Sequence, residues 1–130
     1  MNDETRIWLK YSIENLESAK VLLKNNLYNS CLQNIQQSVE KALKAIWIEN
    51  GLKIKKTHSI IELKNSLEEK AIYLHVSDED CDFLDVIYLP SKYPINNVLP
   101  HFEPDKEICV KAISIAESVL DEVQKILKSS

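Results

Sequence analysis

Apolar residues Leu9, Ile13, Leu16, Leu23 and Leu27 recur at steps of three, four or seven, which a helix of 3.6 residues per turn gathers into one stripe. The spacing predicts a first helix from about Thr5 to Asn25. The Asn25-Asn26 pair can stop it, because asparagine tolerates the left-handed cap. Tyr28, Leu32, Ile35, Val39, Ala42, Leu43 and Ile46 predict a second helix from about Tyr28 to Asn50, with Gly51 just past its end. Its opposite stripe, Gln33, Gln37, Lys41 and Lys44, is polar and reads as solvent-facing. Glu40 precedes Lys44 by four residues, the favourable order for a helical ion pair worth about 0.2–0.5 kcal/mol.

Ser59-Ile60-Ile61-Glu62 is a capping-box pattern that opens a short third helix bearing Ile60, Leu63 and Leu67. Ser77 opens a fourth in a similar way. There Asp78, Glu79 and Asp80 suit the helix dipole, Leu84, Ile87 and Tyr88 face inward, and Pro90 is expected to end the element. Pro104 at a first helical position starts a long last helix lined by Ile108, Ala112, Ile115, Ala116, Val119, Val123, Ile126 and Leu127. Lys125 and Lys128 close it as the dipole prefers. Strand periodicity is absent. The expected fold class is all-α, an antiparallel up-and-down bundle of five helices with a long irregular connection before the last. All four prolines fall between Pro90 and Pro104, and chain that is ordered without packing draws attention as a functional loop.

Composition narrows the classes. The 130 residues, 45% of them apolar, suit one domain spanning 1–130. A single glycine leaves no Gly-rich phosphate loop and few hairpin turns. The formal charge of −4 and the lone Arg6 disfavour a free-standing nucleic-acid binder, so any phosphate contact must be local. Cys31, Cys81 and Cys109 are widely spaced, odd in number and without C-x-x-C, which fits reduced, buried thiols. The acidic start and the absence of 18 uninterrupted apolar residues point to a cytoplasmic protein with no membrane association.

Candidate chemistry is sparse. Asp78, Asp80 and Asp82 alternate like calcium-loop ligands, but Phe83 and Leu89 stand where that loop needs glycine and glutamate, so a helix N-terminus is the better reading. His58, His75 and His101 are too far apart for a metal spacing. No metal or other cofactor is expected. Lys53, Lys55, Lys56 and His58 form a basic connector able to meet a phosphate or an acidic partner. Trp8 and Trp47 read as packing residues. Tyr88, Lys92, Tyr93 and His101 bracket the irregular connection and combine a cation, phenolic donors and a possible general base.

The run Gln36-Gln37-Ser38-Val39-Glu40-Lys41-Ala42-Leu43-Lys44-Ala45, then Thr57-His58-Ser59-Ile60, then Tyr88 with Lys92-Tyr93-Pro94 before a last long helix, resembles the HEPN domain family (higher eukaryotes and prokaryotes nucleotide-binding). The likeness covers nearly the whole chain. It implies a homodimeric helical bundle that pairs with a small nucleotidyltransferase in toxin–antitoxin-like or defence modules. Many members of that family are metal-independent endoribonucleases with an Arg followed by four to six residues and a His. Here the arginine position is Lys92, and His101 lies nine residues on, so the reactive pair is not present as written. The resemblance therefore implies nucleotide or RNA phosphate binding at Lys92, Tyr93, Tyr88 and His101 in a subunit without a clear catalytic motif. Two rival expectations are a ribonuclease using Lys92, Tyr93 and His101, and a helical scaffold without ligand.

Overall fold

The computed structural model describes residues 1–53, 56–92 and 103–129. Five helices follow one another: α1 (Asp3–Lys24), α2 (Tyr28–Glu49), α3 (Ile60–Glu69), α4 (Asp78–Lys92) and α5 (Lys106–Lys128). No strand occurs among the described residues. The all-α bundle expected from the periodicity is what forms.

Local chemistry fixes most helix ends. Asn2 caps α1, its side chain accepting from the Thr5 N–H at 2.8 Å. At the other end Asn26 takes φ +60° and the Leu27 N–H reaches the Leu22 carbonyl at 2.9 Å, a left-handed stop of the kind the Asn-Asn pair predicts. Gly51 (φ +68°) and Ala71 (φ +62°) terminate α2 and α3 in the same manner. Ala71 does so against its own stereochemistry, since a Cβ disfavours that region.

α1 and α2 form the largest contact, an antiparallel pair in which the Ser12 hydroxyl donates to the Ser38 carbonyl at 2.6 Å and Ser38 returns the bond to Ser12 O at 2.7 Å. Two serines let the backbones approach closely there. α5 lies along both, with Lys20 of α1 meeting Glu117 at 3.2 Å and the Cys109 thiol meeting the Tyr28 carbonyl at 3.5 Å. α4 runs antiparallel to α3, from the Lys64–Asp78 ion pair at 2.7 Å to contacts between Asp85 and the start of α3. The chain between α2 and α3 folds back along α2, so that α3 begins beside the middle of that helix, at Gln36.

α2 is the central element. Cys31, Leu32, Ile35, Val39, Ala42, Leu43, Ala45 and Ile46 are wholly buried, and one core joins them to Leu63, Leu67, Leu84, Ala116, Val119 and Val123 from the other helices. Complete burial of such side chains contributes about 1.5–3 kcal/mol each.

Four sequence expectations shift. α4 runs through Pro90 to Lys92 rather than ending at the proline; close to a helix C-terminus the missing N–H forfeits one bond while the fixed φ remains helical. α5 starts at Lys106, because Asp105 takes the N-cap with its carboxylate accepting from the Ile108 N–H at 2.8 Å, and Pro104 lies before the cap. Leu27 falls outside α1 and is exposed. Lys44 does not face solvent: both it and Glu40 are buried.

Candidate functional site

The chain from Leu52 to Ser59 is fastened to α2 at several points. The Trp47 indole N–H donates to the Lys53 carbonyl, and the Gln36 amide donates to the His58 carbonyl. Thr57 Oγ1 accepts from the Ser59 N–H at 3.1 Å and donates to Glu62 at 2.6 Å. In the capping box, Ser59 Oγ accepts from the Glu62 N–H at 3.3 Å. The Glu62 carboxylate therefore holds the preceding threonine rather than closing the box in the usual reciprocal way.

Asp85 of α4 completes this junction. Its carboxylate accepts from Ile60 N at 2.8 Å, Ile61 N at 3.1 Å and Ser59 Oγ at 3.0 Å. An anion on the first N–H groups of a helix satisfies orphan donors and meets the positive end of the dipole. The start of α3 is thus locked to α4.

Between these two anchors sits a charged cluster. Glu40 Oε1 lies 2.9 Å from His58 Nδ1, and Glu40 Oε2 lies 2.9 Å from Lys44 Nζ. The Glu40 and Lys44 side chains are only 6% and 7% exposed, whereas that of His58 is 63% exposed. Lys44 Nζ also stands 5.8 Å from the Trp8 ring centroid, a cation–π contact that helps replace its lost water. Because an ionised carboxylate only accepts, the shared proton belongs to Nδ1 and a neutral His58 ring carries its lone pair on Nε2. The arrangement is a buried carboxylate orienting an exposed imidazole.

Of the sequence-predicted residues, Tyr88 and Lys92 lie on α4. Tyr88 is buried, one turn beyond Asp85. Lys92 is the last residue of α4, seven positions after Asp85, so its backbone lies about 10 Å further along the helix axis. Tyr93 and His101 lie outside the described residues, as does Lys55 of the basic connector. Lys53 and Lys56 are exposed in the connector itself.

Other polar features have local explanations. Asp78 pairs with Lys64, and among the described residues no group of three metal-ligating side chains converges. A groove of about 690 Å³ beyond the far end of α3 is lined by His75, Asp80, Ser118 and Glu122. There Glu122 accepts from the His75 N–H at 2.9 Å and meets its ring at 3.0 Å. All three cysteines are free and buried. Burial pushes the Cys81 and Cys109 thiols up to about 12, far from the range of a reactive thiolate.

Residue spacing did not disclose the Glu40–His58 contact or the Asp85 cap, since both join segments 18 or more residues apart. One signal was present: Glu40 sits between Val39 and Ala42 in the most apolar stretch of α2, where a carboxylate needs partners.

The five-helix bundle sets the fold class, and comparison with known proteins gives the family. The HEPN domain profile matches residues 5–126. The chain is 32% identical over 140 aligned positions to the toxin candidate MJ1304 of Methanocaldococcus jannaschii, covering 95% of this chain and 88% of that protein. The fold is similar to the crystal structure of TT1696 from Thermus thermophilus, with TM-score 0.78, 25% identity, and 95% and 98% of the two chains covered. It is also similar to ST0689, an archaeal HEPN homologue, with TM-score 0.71, 25% identity, and 93% and 95% covered. A HEPN domain protein of Thermotoga maritima shares the fold at TM-score 0.71 and 20% identity, with 93% and 97% covered. The chain belongs to the HEPN domain family. Among the described residues no helix is long and apolar enough to cross a membrane.

Proposed function

We propose that this chain is the HEPN subunit of a toxin–antitoxin-like pair, a cytoplasmic homodimer of one domain over 1–130 that joins a small nucleotidyltransferase. The observation that carries the reading is the alignment of 95% of the chain, at 32% identity, with a toxin candidate. Its ligand is a nucleotide or an RNA phosphate, engaged at the C-terminal end of α4. Lys92, Tyr93, Tyr88 and His101 contribute there. The exposed Lys53 and Lys56 add local positive charge to a chain of formal charge −4 and favour an anionic ligand.

Co-expression with a small nucleotidyltransferase yields a co-purifying complex on this reading. Added nucleotide raises the melting temperature of the chain in proportion to RT ln(1 + [L]/Kd), and Lys92→Ala removes the rise. A chain that takes neither partner nor nucleotide is a scaffold, and the proposal fails. A second reading, ribonuclease activity, is favoured by the oriented imidazole of His58.

A further inference from the structure

We propose that the channel between α4 and α5 is a docking groove for a partner protein, and that its occupant is an amphipathic helix whose apolar stripe is flanked by lysine or arginine. The inference does not depend on the phosphate site.

The channel follows from the way the bundle is assembled. α4 and α5 each pack on α2, and among the described residues they make no extended contact with each other. Two hollows result, of about 690 Å³ and about 630 Å³, and they adjoin at Asp80, which lines both. On α5 the lining runs from Ile108 to Ile126, a length of about 27 Å at the rise of a helix. The floor is apolar. Phe83, Val86 and Ile108 line one hollow and Val76, Ile115 and Ile126 the other; all are only partly covered, and Val86 is 40% exposed. Lys111 Nζ lies 4.0 Å from the Phe83 ring centroid, so part of this surface is sheltered by a flexible side chain that an occupant can displace.

The rim sets the sign of the occupant. Glu79, Asp80, Asp82, Asp121 and Glu122 line the two hollows against Lys111 and Lys125, an excess of three negative charges in a chain whose formal charge is −4. Lys125 is tied to Asp121 at 3.0 Å, whereas among the described residues Glu79, Asp80 and Asp82 have no cation within ion-pair distance. A cationic partner is attracted to such a rim. Nucleic-acid phosphates, anionic lipid and the same face of a second copy are repelled. Backbone geometry then selects a helix over an extended strand. The walls are helices whose N–H and C=O groups are already paired, so the channel offers no sheet edge, while a helical occupant brings its own backbone bonds with it. A helix of about 18 residues spans the channel, with aliphatic side chains recurring every three or four positions to enter both hollows.

The test selects binders of the full chain from a displayed library of amphipathic helical peptides, about 18 residues long and randomised in flanking charge. Fluorescence anisotropy then measures the affinity of the winners. The inference expects winners with net positive charge, whose Kd rises at least about threefold between low salt and ~0.3 M. Val86→Lys combined with Ser118→Lys, both at exposed positions lining the channel, keeps its melting temperature and weakens these peptides at least about tenfold. Val86→Glu with Ser118→Glu inserts side chains of comparable length with the sign of the rim, and it retains more of the affinity. Val110→Lys, in the groove that α5 shares with α1, leaves the affinity unchanged. A library without binders overturns the inference, as do winners of net negative charge, equal affinity for wild type and the lysine pair, or equal losses in the lysine and glutamate pairs. So does an oligomer of the unliganded chain that the lysine pair dissociates in sedimentation, because the occupant is then a second copy. No readout here uses nucleotide, so a failure leaves the proposed function standing, and loss of the nucleotide response leaves this inference standing.

Discussion

Asp85 is the residue through which α4 holds the start of α3, and its removal has a calculable consequence. Asp85→Ala deletes three hydrogen bonds to a carboxylate, those from Ile60 N, Ile61 N and Ser59 Oγ. It leaves Ser59 Oγ still capping Glu62 N. Loss of a helix N-terminal acceptor costs about 0.5–2 kcal/mol, and bonds to a charged group are at the strong end of the range. Because water can reach the half-buried donors, the total comes to about 2–3 kcal/mol rather than the sum of three bonds. For a chain of this length that corresponds to a melting temperature lower by about 6–12 °C. Asp85→Asn retains an acceptor oxygen without the charge and falls between the two. Calorimetry of wild type, both variants and Asp82→Ala, an exposed position on the same helix, measures the effect. Equal melting temperatures for Asp85→Ala and Asp82→Ala would refute the argument that α3 and α4 are joined through this cap.

Lys44→Met leaves the Glu40 carboxylate buried without its ammonium and destabilises by about 3–5 kcal/mol in urea titration, whereas adding Glu40→Gln to it restores most of the loss. Ala71→Gly relieves a left-handed backbone at φ +62° and stabilises by about 0.5–1 kcal/mol after the greater unfolded entropy of glycine is counted; a lower melting temperature would contradict this. The hydrogen bond from the Asn2 N–H, helped by the N-terminal ammonium 3.2 Å away and then by Thr5, holds the Glu49 carboxyl below its ordinary value of 4.5. Its contribution is therefore present above that pH and is lost as pH falls through the lowered folded value. The difference in melting temperature between wild type and Glu49→Gln should be largest above the ordinary value and shrink as pH falls through the lowered one. Burial raises Cys81 and Cys109 from 9.0 to about 12, so their neutral form stabilises the fold below pH 9 and that benefit disappears as pH climbs toward 12. A thiol reagent at pH ~8 should leave the native chain unlabelled and label all three cysteines once it is unfolded.

The periodic apolar positions of α1, α2 and α5 and the serine caps of α3 and α4 were legible in the sequence, because they depend on residues within one or two turns. Pro90 misled because a proline stops a helix only where the lost bond and ring clash are not tolerated, and near its end the helix tolerates both. Lys44 misled for a different reason. The face of α2 that a two-helix pattern would leave wet is covered by the connection folding back at Gln36 and His58, and that path is a tertiary fact. The same return brings His58 to Glu40. The candidate site was legible only as ingredients, a basic connector, a lone histidine and a misplaced glutamate, until the backbone brought them within hydrogen-bond reach.

The central claim is that a phosphate-bearing ligand meets the bundle at the C-terminal end of α4, with the 50–59 connection, whose Ser59 is tied to α4 through Asp85, contributing positive charge. Titration of a short single-stranded RNA into isotopically labelled protein, followed by NMR amide and imidazole shifts, tests it most directly. The account predicts progressive changes at Lys56, His58, Tyr88 and Lys92. Unchanged spectra there, or changes centred on His75, Glu122 and Lys125 in the groove at the far end of α3, would contradict it.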